Sequence, residues 1–265
     1  LIPKADITAW RHTAPWVSDA QVEQDLILSR ILVEIFRNDF LGKKLAFRGG
    51  TALHKLYFRP ARRYSEDIDL VQVEPEPIGD ILDALQAILN PFLGDPKRKL
   101  SEDAVTVTYK AESEGPPVVP LRFKVEINTR EHFSVLGFEK ILFEVRSRWF
   151  TGSSTIRSYA LDELLATKTR ALYQRRKGRD LFDLWLGITE AMGDPARILQ
   201  ILNVYLEKEG TTIDARDFEK NLLDKMKHPG FMSDLRPLLA ADMVYDAETA
   251  HALMRDLIVS RMDGR

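Results

Sequence analysis

Asp67 and Asp69 are two carboxylates one residue apart in the run Tyr64-Ser65-Glu66-Asp67-Ile68-Asp69-Leu70. In an extended chain residues i and i+2 share a face. Both carboxylates then aim together, while Ile68 and Leu70 aim into a core. Two hard oxygen donors on one face suit Mg²⁺, which takes a few carboxylates along with waters and substrate phosphates. The pair alone is weak evidence, because 40 acids in 265 residues give roughly six acid-x-acid pairs by chance. A solvated strand end is the competing reading. Glu126 adds a third carboxylate. It lies on the polar face of a stretch in which Leu121, Phe123, Val125 and Ile127 alternate with Arg122, Lys124, Glu126 and Asn128. A mid-strand glutamate must face water, a cation or a metal. Asp67, Asp69 and Glu126 together can hold two ions about 3.5–4 Å apart. Alternatively, Glu126 pairs with Arg122 or Lys124 on an exposed sheet face.

Gly49-Gly50-Thr51 follows the short apolar run Leu45-Ala46-Phe47 and precedes Ala52, Leu53, Leu56 and Tyr57. Glycines between a strand and a helix let backbone approach a phosphate. The helix start offers free N–H groups, and Thr51 offers a hydroxyl. The competing reading is a plain strand-to-helix turn. A third element runs from Leu161 to Asp183 and carries six basic residues between positions 168 and 179. Lys168 and Arg175 are seven apart, so a continuous helix puts them on one face, open to a triphosphate or an RNA backbone. Gly178 ends that helix, and Asp180 caps or leads the next. For Asp180 and Asp183 the competing reading is capping and ion pairing.

These groups lie on strands, helices and loops that the patterning lays out in order. The patterning predicts a helix capped by Asp19 and running to about Phe40, then strands near 45–47, 67–73, 104–109, 121–128, 141–145 and 155–158. A helix is expected over 78–89 and a turn at Glu114-Gly115-Pro116-Pro117. From Leu161 the periodicity becomes helical, with helices expected near 161–175, 179–191, 195–208, 215–227 and 246–262. The expected organisation is residues 1–158 as a mixed α/β domain and 159–265 as a helical one. Lys and Arg total 38 against 40 acids, a formal charge of −2, so a global basic field is absent and any basic footprint must be a local patch. Cysteine is absent, which excludes disulfides, a thiol nucleophile and thiolate-bound zinc. The five histidines show no metal-ligand spacing, and His54 is expected on a helix surface. The tryptophans are expected in the core or at an interface. No apolar run reaches the roughly 18 residues of a bilayer span, and the first residues lack a secretory layout. A cytoplasmic location is the expectation.

The order Gly-Gly-Thr-x-Leu, Ser-x-Asp-x-Asp, Lys-x-Glu-Ile, Leu-x-Glu-Leu-Leu-x-x-Lys and Arg-Asp-Leu-Phe-Asp-Leu resembles the nucleotidyltransferase AbiEii/AbiGii toxin family of type IV toxin–antitoxin and abortive-infection systems. The resemblance runs from about Phe47 to Trp185. It implies an α+β fold: a DNA polymerase β-like nucleotidyltransferase domain, a mixed sheet with flanking helices, followed by an all-helical C-terminal domain. It implies that Asp67, Asp69 and Glu126 bind Mg²⁺ or Mn²⁺. Arg48, Gly49, Gly50, Thr51, Ser65 and Lys168 are then the nucleotide-binding set, and Asp180 and Asp183 belong to the last catalytic motif. Thr51 stands where the wider superfamily has Ser. Arg48 stands where many relatives carry Lys, which keeps the charge without the point-donor geometry.

The reaction this implies is NMP transfer from an NTP to an RNA hydroxyl, with the 3′ end of tRNA as the expected acceptor and a block of translation as the outcome. Arg59, Arg62 and Arg63, with Arg175, Arg176, Lys177 and Arg179, are the expected RNA contacts. A cognate antitoxin is an expected partner. Ser65, inside the carboxylate motif, is an expected control point, because a phosphate there would place negative charge beside Asp67. Two other readings stay open at this stage. One keeps the chemistry with a small-molecule or protein hydroxyl as acceptor. The other is a nucleotide- or RNA-binding regulator without turnover.

Overall fold

A computed structural model describes residues 2–115 and 117–262 of the chain. The chain divides into two compact units, Leu1–Tyr159 and Ala160–Arg265.

The first unit opens with α1 (Lys4–Trp10) and the long α2 (Asp19–Arg37). Ser18, one residue before the expected Asp19, is the N-cap of α2, and its N–H donates to Gln21 Oε1 at 3.5 Å. The expected run to Phe40 stops at Arg37. Asn38 Oδ1 accepts from the N–H groups of Phe40 (3.0 Å) and Leu41 (3.1 Å) and starts a separate helix, α3 (Asp39–Lys44). Then come β1 (Leu45–Arg48), α4 (Gly49–Ala52) continuing into a π-helical turn at Leu53–Tyr57, β2 (Asp67–Gln72), and α5 (Gly79–Leu93). Five strands follow: β3 (Lys97–Leu100), β4 (Ala104–Glu112), β5 (Pro120–Asn128), β6 (Phe138–Arg146) and β7 (Thr151–Tyr159). Pro116 of the expected turn lies outside the described residues.

Among the described residues the strands form one seven-stranded sheet, ordered β3-β4-β5-β2-β1-β7-β6. β2 runs parallel to β5 and β1 parallel to β7, while the remaining pairs are antiparallel. The sheet is therefore mixed, as the family resemblance implies. One face carries Ile68, Leu70, Val105, Val107, Val125 and Ile127, all buried. The other face carries the polar alternates. Strand β3 had no apolar alternation to reveal it. Its Lys97, Arg98 and Lys99 suit an edge strand, where charge discourages pairing with another chain.

Two polar hubs, one buried at Asp25 and one half-buried at Arg30, fix α2 against its surroundings. Asp25 accepts from Trp10 Nε1 (2.9 Å), Trp16 Nε1 (3.3 Å) and Lys55 Nζ (2.7 Å). Lys55 sits on the turn behind the glycines, so this hub ties the glycine segment to α2. The Arg30 guanidinium lies 4.1 Å from the Phe92 ring centre and 5.1 Å from both Trp149 and Phe150. Trp10, Trp16 and Trp149 thus have structural partners.

The second unit contains α6 (Leu161–Gln174), α7 (Gly178–Thr189), α8 (Pro195–Lys208), α9 (Ala215–Met226), α10 (Pro229–Ser233), α11 (Ala247–Met254) and α12 (Ser260–Met262). α6 packs on α7, α8 and α9. Its first turn buries Glu163, which accepts from Tyr205 Oη at 2.9 Å. Gly187 lets α7 approach closely, since a Cβ there would lie 2.4 Å from Leu165 Cδ2.

Candidate active site

In the first unit, the sheet register brings the carboxylates together. Asp67 is opposite Lys124 and Asp69 opposite Glu126 across the parallel β2–β5 pair. Arg48 of β1 is opposite Asp69 on the other side. All five side chains therefore share the polar face. Glu126 accepts from Lys124 Nζ at 2.8 Å, the pairing that the sequence offered as the alternative. Burial lowers the Lys124 pKa, yet it stands above the ordinary lysine value. Its hydrogen bond to Glu126 and the charges of Asp67, Glu126 and Asp69 outweigh burial. An ammonium thus lies in the field of all three carboxylates.

Gly49 completes this corner. Its φ is +80°, and a Cβ built there would lie 2.2 Å from Asp69 Oδ2. Only glycine allows both the backbone conformation and the carboxylate position. Gly49→Ala is expected to displace Asp69 and lower any activity that depends on it by about 10²-fold, the scale of a misplacement near 1 Å. A melting curve read beside the activity separates this from unfolding, because a strained left-handed position costs only about 1–2 kcal/mol. Retained activity in Gly49→Ala would remove Asp69 from the site.

Thr51 plays a different part from the expected phosphate donor. It is buried, and its Oγ1 lies 2.5 Å from the Asp67 carbonyl oxygen and 2.8 Å from Ser65 Oγ. Its hydroxyl is used inside the fold, tying the glycine turn to the start of β2. Ser65 shares that bond, so a phosphate on Ser65 would also cost the Thr51 contact. Arg48 donates from Nη1 to Glu131 Oε2 at 2.5 Å.

The three carboxylates supply hard oxygens, the chemistry that a divalent cation requires. Lys124 stands in their field as a cationic stand-in, and Gly49 leaves Asp69 its place. Asp67 and Asp69 are the residues that would hold an Mg²⁺ or Mn²⁺ ion, and Glu126 would have to leave Lys124 to join them. As they stand, no group of three such donors among the described residues converges on an ion position.

The basic loop after the glycine helix is divided. Arg59 is exposed and Arg62 half-buried, but Arg63 is buried, with Nη1 donating to the Tyr64 carbonyl at 3.0 Å. Arg63 is therefore corrected from an RNA contact to a structural residue. His54 is likewise buried rather than on a helix surface. It packs edge-on against Phe58 and lines a cavity of about 520 Å³ with Trp10, Lys55 and Phe143.

In the second unit, the expected open face at Lys168 is replaced by a closed charge cluster. Lys168 is 6% exposed, and its Nζ lies 3.2 Å from Asp180 Oδ1 and 3.1 Å from Asp183 Oδ2. Both aspartates are fully buried. Arg175 grips Asp180 through Nε (2.7 Å) and Nη2 (2.8 Å). Burial raises the Asp180 pKa, but the charges of Lys168 and Arg175 win and hold it below the ordinary range. Asp180 is the third residue of α7, so it also favours the helix dipole without being the cap. Lys177 and Arg179 lie 3.6 and 3.9 Å from Asp234, while Arg176 is exposed.

Lys225 was not singled out in the sequence. It is buried, and its Nζ donates to the carbonyls of Leu172 and of Tyr173 (2.6 Å), closing the end of α6. Burial pulls its pKa down to about 8, against the opposing charge of Asp180. Between about pH 8 and the ordinary lysine value of about 10.4 the unfolded chain therefore binds a proton that the folded chain does not, and stability rises with pH. Urea midpoints should climb across that window in the wild type more than in Lys225→Met. Parallel curves would refute it.

Comparison with known proteins follows the same lines. Residues 30–253 match the family described as nucleotidyl transferase AbiEii toxin, type IV toxin–antitoxin system. Two solved structures share the fold. MenT4, a nucleotidyltransferase toxin from Mycobacterium tuberculosis, superposes with a TM-score of 0.65 at 16% identity, over 99% of this chain and 91% of its own. JHP933 from Helicobacter pylori superposes with a TM-score of 0.57 at 17% identity, over 94% of this chain and 95% of its own. No curated protein sequence matches the chain.

Proposed function

The chain belongs to the AbiEii nucleotidyl transferase toxin family of type IV toxin–antitoxin systems, and from that premise we propose that it transfers NMP from an NTP to the 3′ end of an RNA, with tRNA as the acceptor. The observation that carries this reading is the shared face of Asp67, Asp69 and Glu126, with Gly49 packed against Asp69. The acceptor oxygen forms a bond to the α-phosphorus, the α–β phosphoanhydride bond breaks, and pyrophosphate leaves. The acceptor proton passes to Glu126 or Asp69, the carboxylates on that face. Asp67 and Asp69 would hold Mg²⁺ or Mn²⁺, which when bound would lower the pKa of the acceptor hydroxyl and neutralise charge on the phosphates. The backbone at Gly49 and Gly50 admits the triphosphate, and Arg48 adds positive charge beside it.

An extended or blocked tRNA 3′ end cannot be aminoacylated, which gives the toxin its effect on translation. A cognate antitoxin is the matching partner, and the cytoplasm is where NTP, tRNA and antitoxin meet. No helix among the described residues is long and apolar enough to cross a membrane.

The test is a transfer assay with Mg²⁺, total tRNA and each α-labelled NTP in turn, beside Asp67→Ala/Asp69→Ala. Label entering tRNA from one preferred NTP, and lost in the variant, supports the reading. Nucleotide binding without label in tRNA would send the search to a small-molecule or protein hydroxyl. Equal nucleotide binding by the variant, with no product in either protein, would instead favour a regulator.

A further inference from the structure

The polar face that holds the carboxylates does not end at β5. Across β4 and β3 it continues through directly opposed residues. Lys124 is opposite Thr108, and Thr108 is opposite Lys97. Glu126 is opposite Thr106, and Thr106 is opposite Lys99. One step along, Lys110 is opposite Arg122. Directly opposed residues lie on the same side of a sheet, so these side chains form one surface running from the β3 edge to Asp67 and Asp69.

Lys97, Lys99, Lys110 and Arg122 are exposed. Among the described residues, none of the four has a carboxylate within ion-pair distance. With Lys124 they make five cations on β3, β4 and β5, against Glu112 and Glu126 on those strands and Asp67 and Asp69 at the β2 end. The chain as a whole carries −2, so the β3–β5 part of this face concentrates positive charge against the overall sign and leads to the negative end at Asp67 and Asp69. The alternation is strict. Arg98, between the two edge lysines, is opposite Val107 on the other side of the sheet and lies 3.8 Å from Asp83 of α5.

We propose that this surface is the seat of the acceptor strand: a single-stranded RNA segment whose phosphates lie on Lys97, Lys99, Lys110 and Arg122 and whose 3′ end reaches Asp67 and Asp69. The inference rests on the RNA-acceptor reading above and adds where the acceptor lies. Three strand spacings of about 4.8 Å put the edge about 14 Å from the carboxylates, a span of a few nucleotides. The groups offered are lysine, arginine and threonine. None of those named is aromatic. Sheet-based readers that recognise bases stack them on aromatic side chains. This face therefore grips the backbone and is tolerant of base sequence just upstream of the 3′ end.

The test is the salt dependence of binding, read by fluorescence anisotropy on the full chain without NTP. The probes are two labelled single-stranded oligoribonucleotides of unrelated sequence, each about 12 nucleotides long, within the range of single-strand sites. K97Q/K99Q, K110Q/R122Q and the combined variant are compared with wild type and with R98Q over about 50 to 200 mM KCl. Each phosphate contact on a single strand contributes about 0.7 to the slope of log K against log salt. The slope should fall by about 1.4 in each double variant and by about 3 in the combined one. Affinity at the higher salt should fall about tenfold or more in the combined variant, while R98Q and the choice of sequence change little.

Equal slopes in wild type and variants overturn the surface, even where tRNA is still labelled in the transfer assay. So does a wild type that binds neither oligonucleotide, including one that instead holds an acidic protein on these lysines. An equal loss in R98Q also overturns it, because general charge and not the face would then be responsible. Reduced slopes together with no label in tRNA leave these residues as an RNA-binding face but overturn its role as the acceptor seat, along with the RNA-acceptor reading.

Discussion

Asp69→Asn is expected to lower nucleotidyl transfer by about 10²–10³-fold, the scale for removing one preorganised group at a reacting centre. The substitution keeps the shape of the side chain and its place beside Gly49. It removes the charge that would hold a cation and that neighbours Lys124. Asp67→Asn should match it, because i and i+2 in β2 present both groups to the same point. Glu126→Gln should cost less. Glu126 is already committed to Lys124, more than a third of its side chain is exposed, and water can replace a solvent-facing carboxylate. The folded state should tolerate all three, and removing like charge from one face reduces self-repulsion. Initial rates with labelled NTP, beside melting curves, check the order. Rates within threefold of wild type in Asp69→Asn would remove β2 from the chemistry. A larger loss in Glu126→Gln than in Asp69→Asn would reassign the principal carboxylate to β5.

The parts of this site that were legible in the sequence share a cause. Each depends on local periodicity or on a residue with one dominant physical use. The alternation in β5 and the Asp-x-Asp of β2 put their polar groups on one face before any pairing was known. Gly49 announced a turn because glycine alone takes a positive φ at no cost. What the sequence withheld depends on register. No spacing within β5 says that Lys124 will lie opposite Asp67, or that Lys97 and Lys99 will extend the same face two strands away. β3 itself was invisible, since an exposed edge strand of charged residues has no apolar period. Buried hubs were equally silent. Asp25 reads as one more polar residue of an amphipathic helix until two indoles and Lys55 converge on it. Thr51 and Arg63 were assigned by chemical type to phosphates, yet the fold consumes both internally. A hydroxyl or guanidinium near a site is as useful for holding the site together as for holding its ligand.

The same distinction decides what Lys168 does. Lys168→Met should cost about 3–5 kcal/mol, the range for breaking a buried ion pair by removing one partner. The ammonium lies between Asp180 and Asp183, and both carboxylates are fully buried. Arg175 continues to grip Asp180, but Asp183 loses its ammonium. For a unit of this size the melting temperature should fall by more than about 10 °C. A variant that also replaces the acid, Lys168→Met/Asp183→Leu, should recover a large part of the loss, because an apolar pair of similar volume is often as stable as a buried ion pair. The pH dependence carries the same sign. Asp180 is held below the ordinary carboxylate range, so its contribution is complete above about pH 3.9 and is lost as pH falls from there through the folded value. Urea midpoints measured against Asp180→Asn should therefore differ most at neutral pH and converge only in strong acid. An unchanged melting temperature in Lys168→Met, with transfer abolished, would place the ammonium on the substrate phosphates, as the family resemblance implies. A lowered melting temperature with transfer proportional to the folded fraction would place Lys168 in the framework of the helical unit.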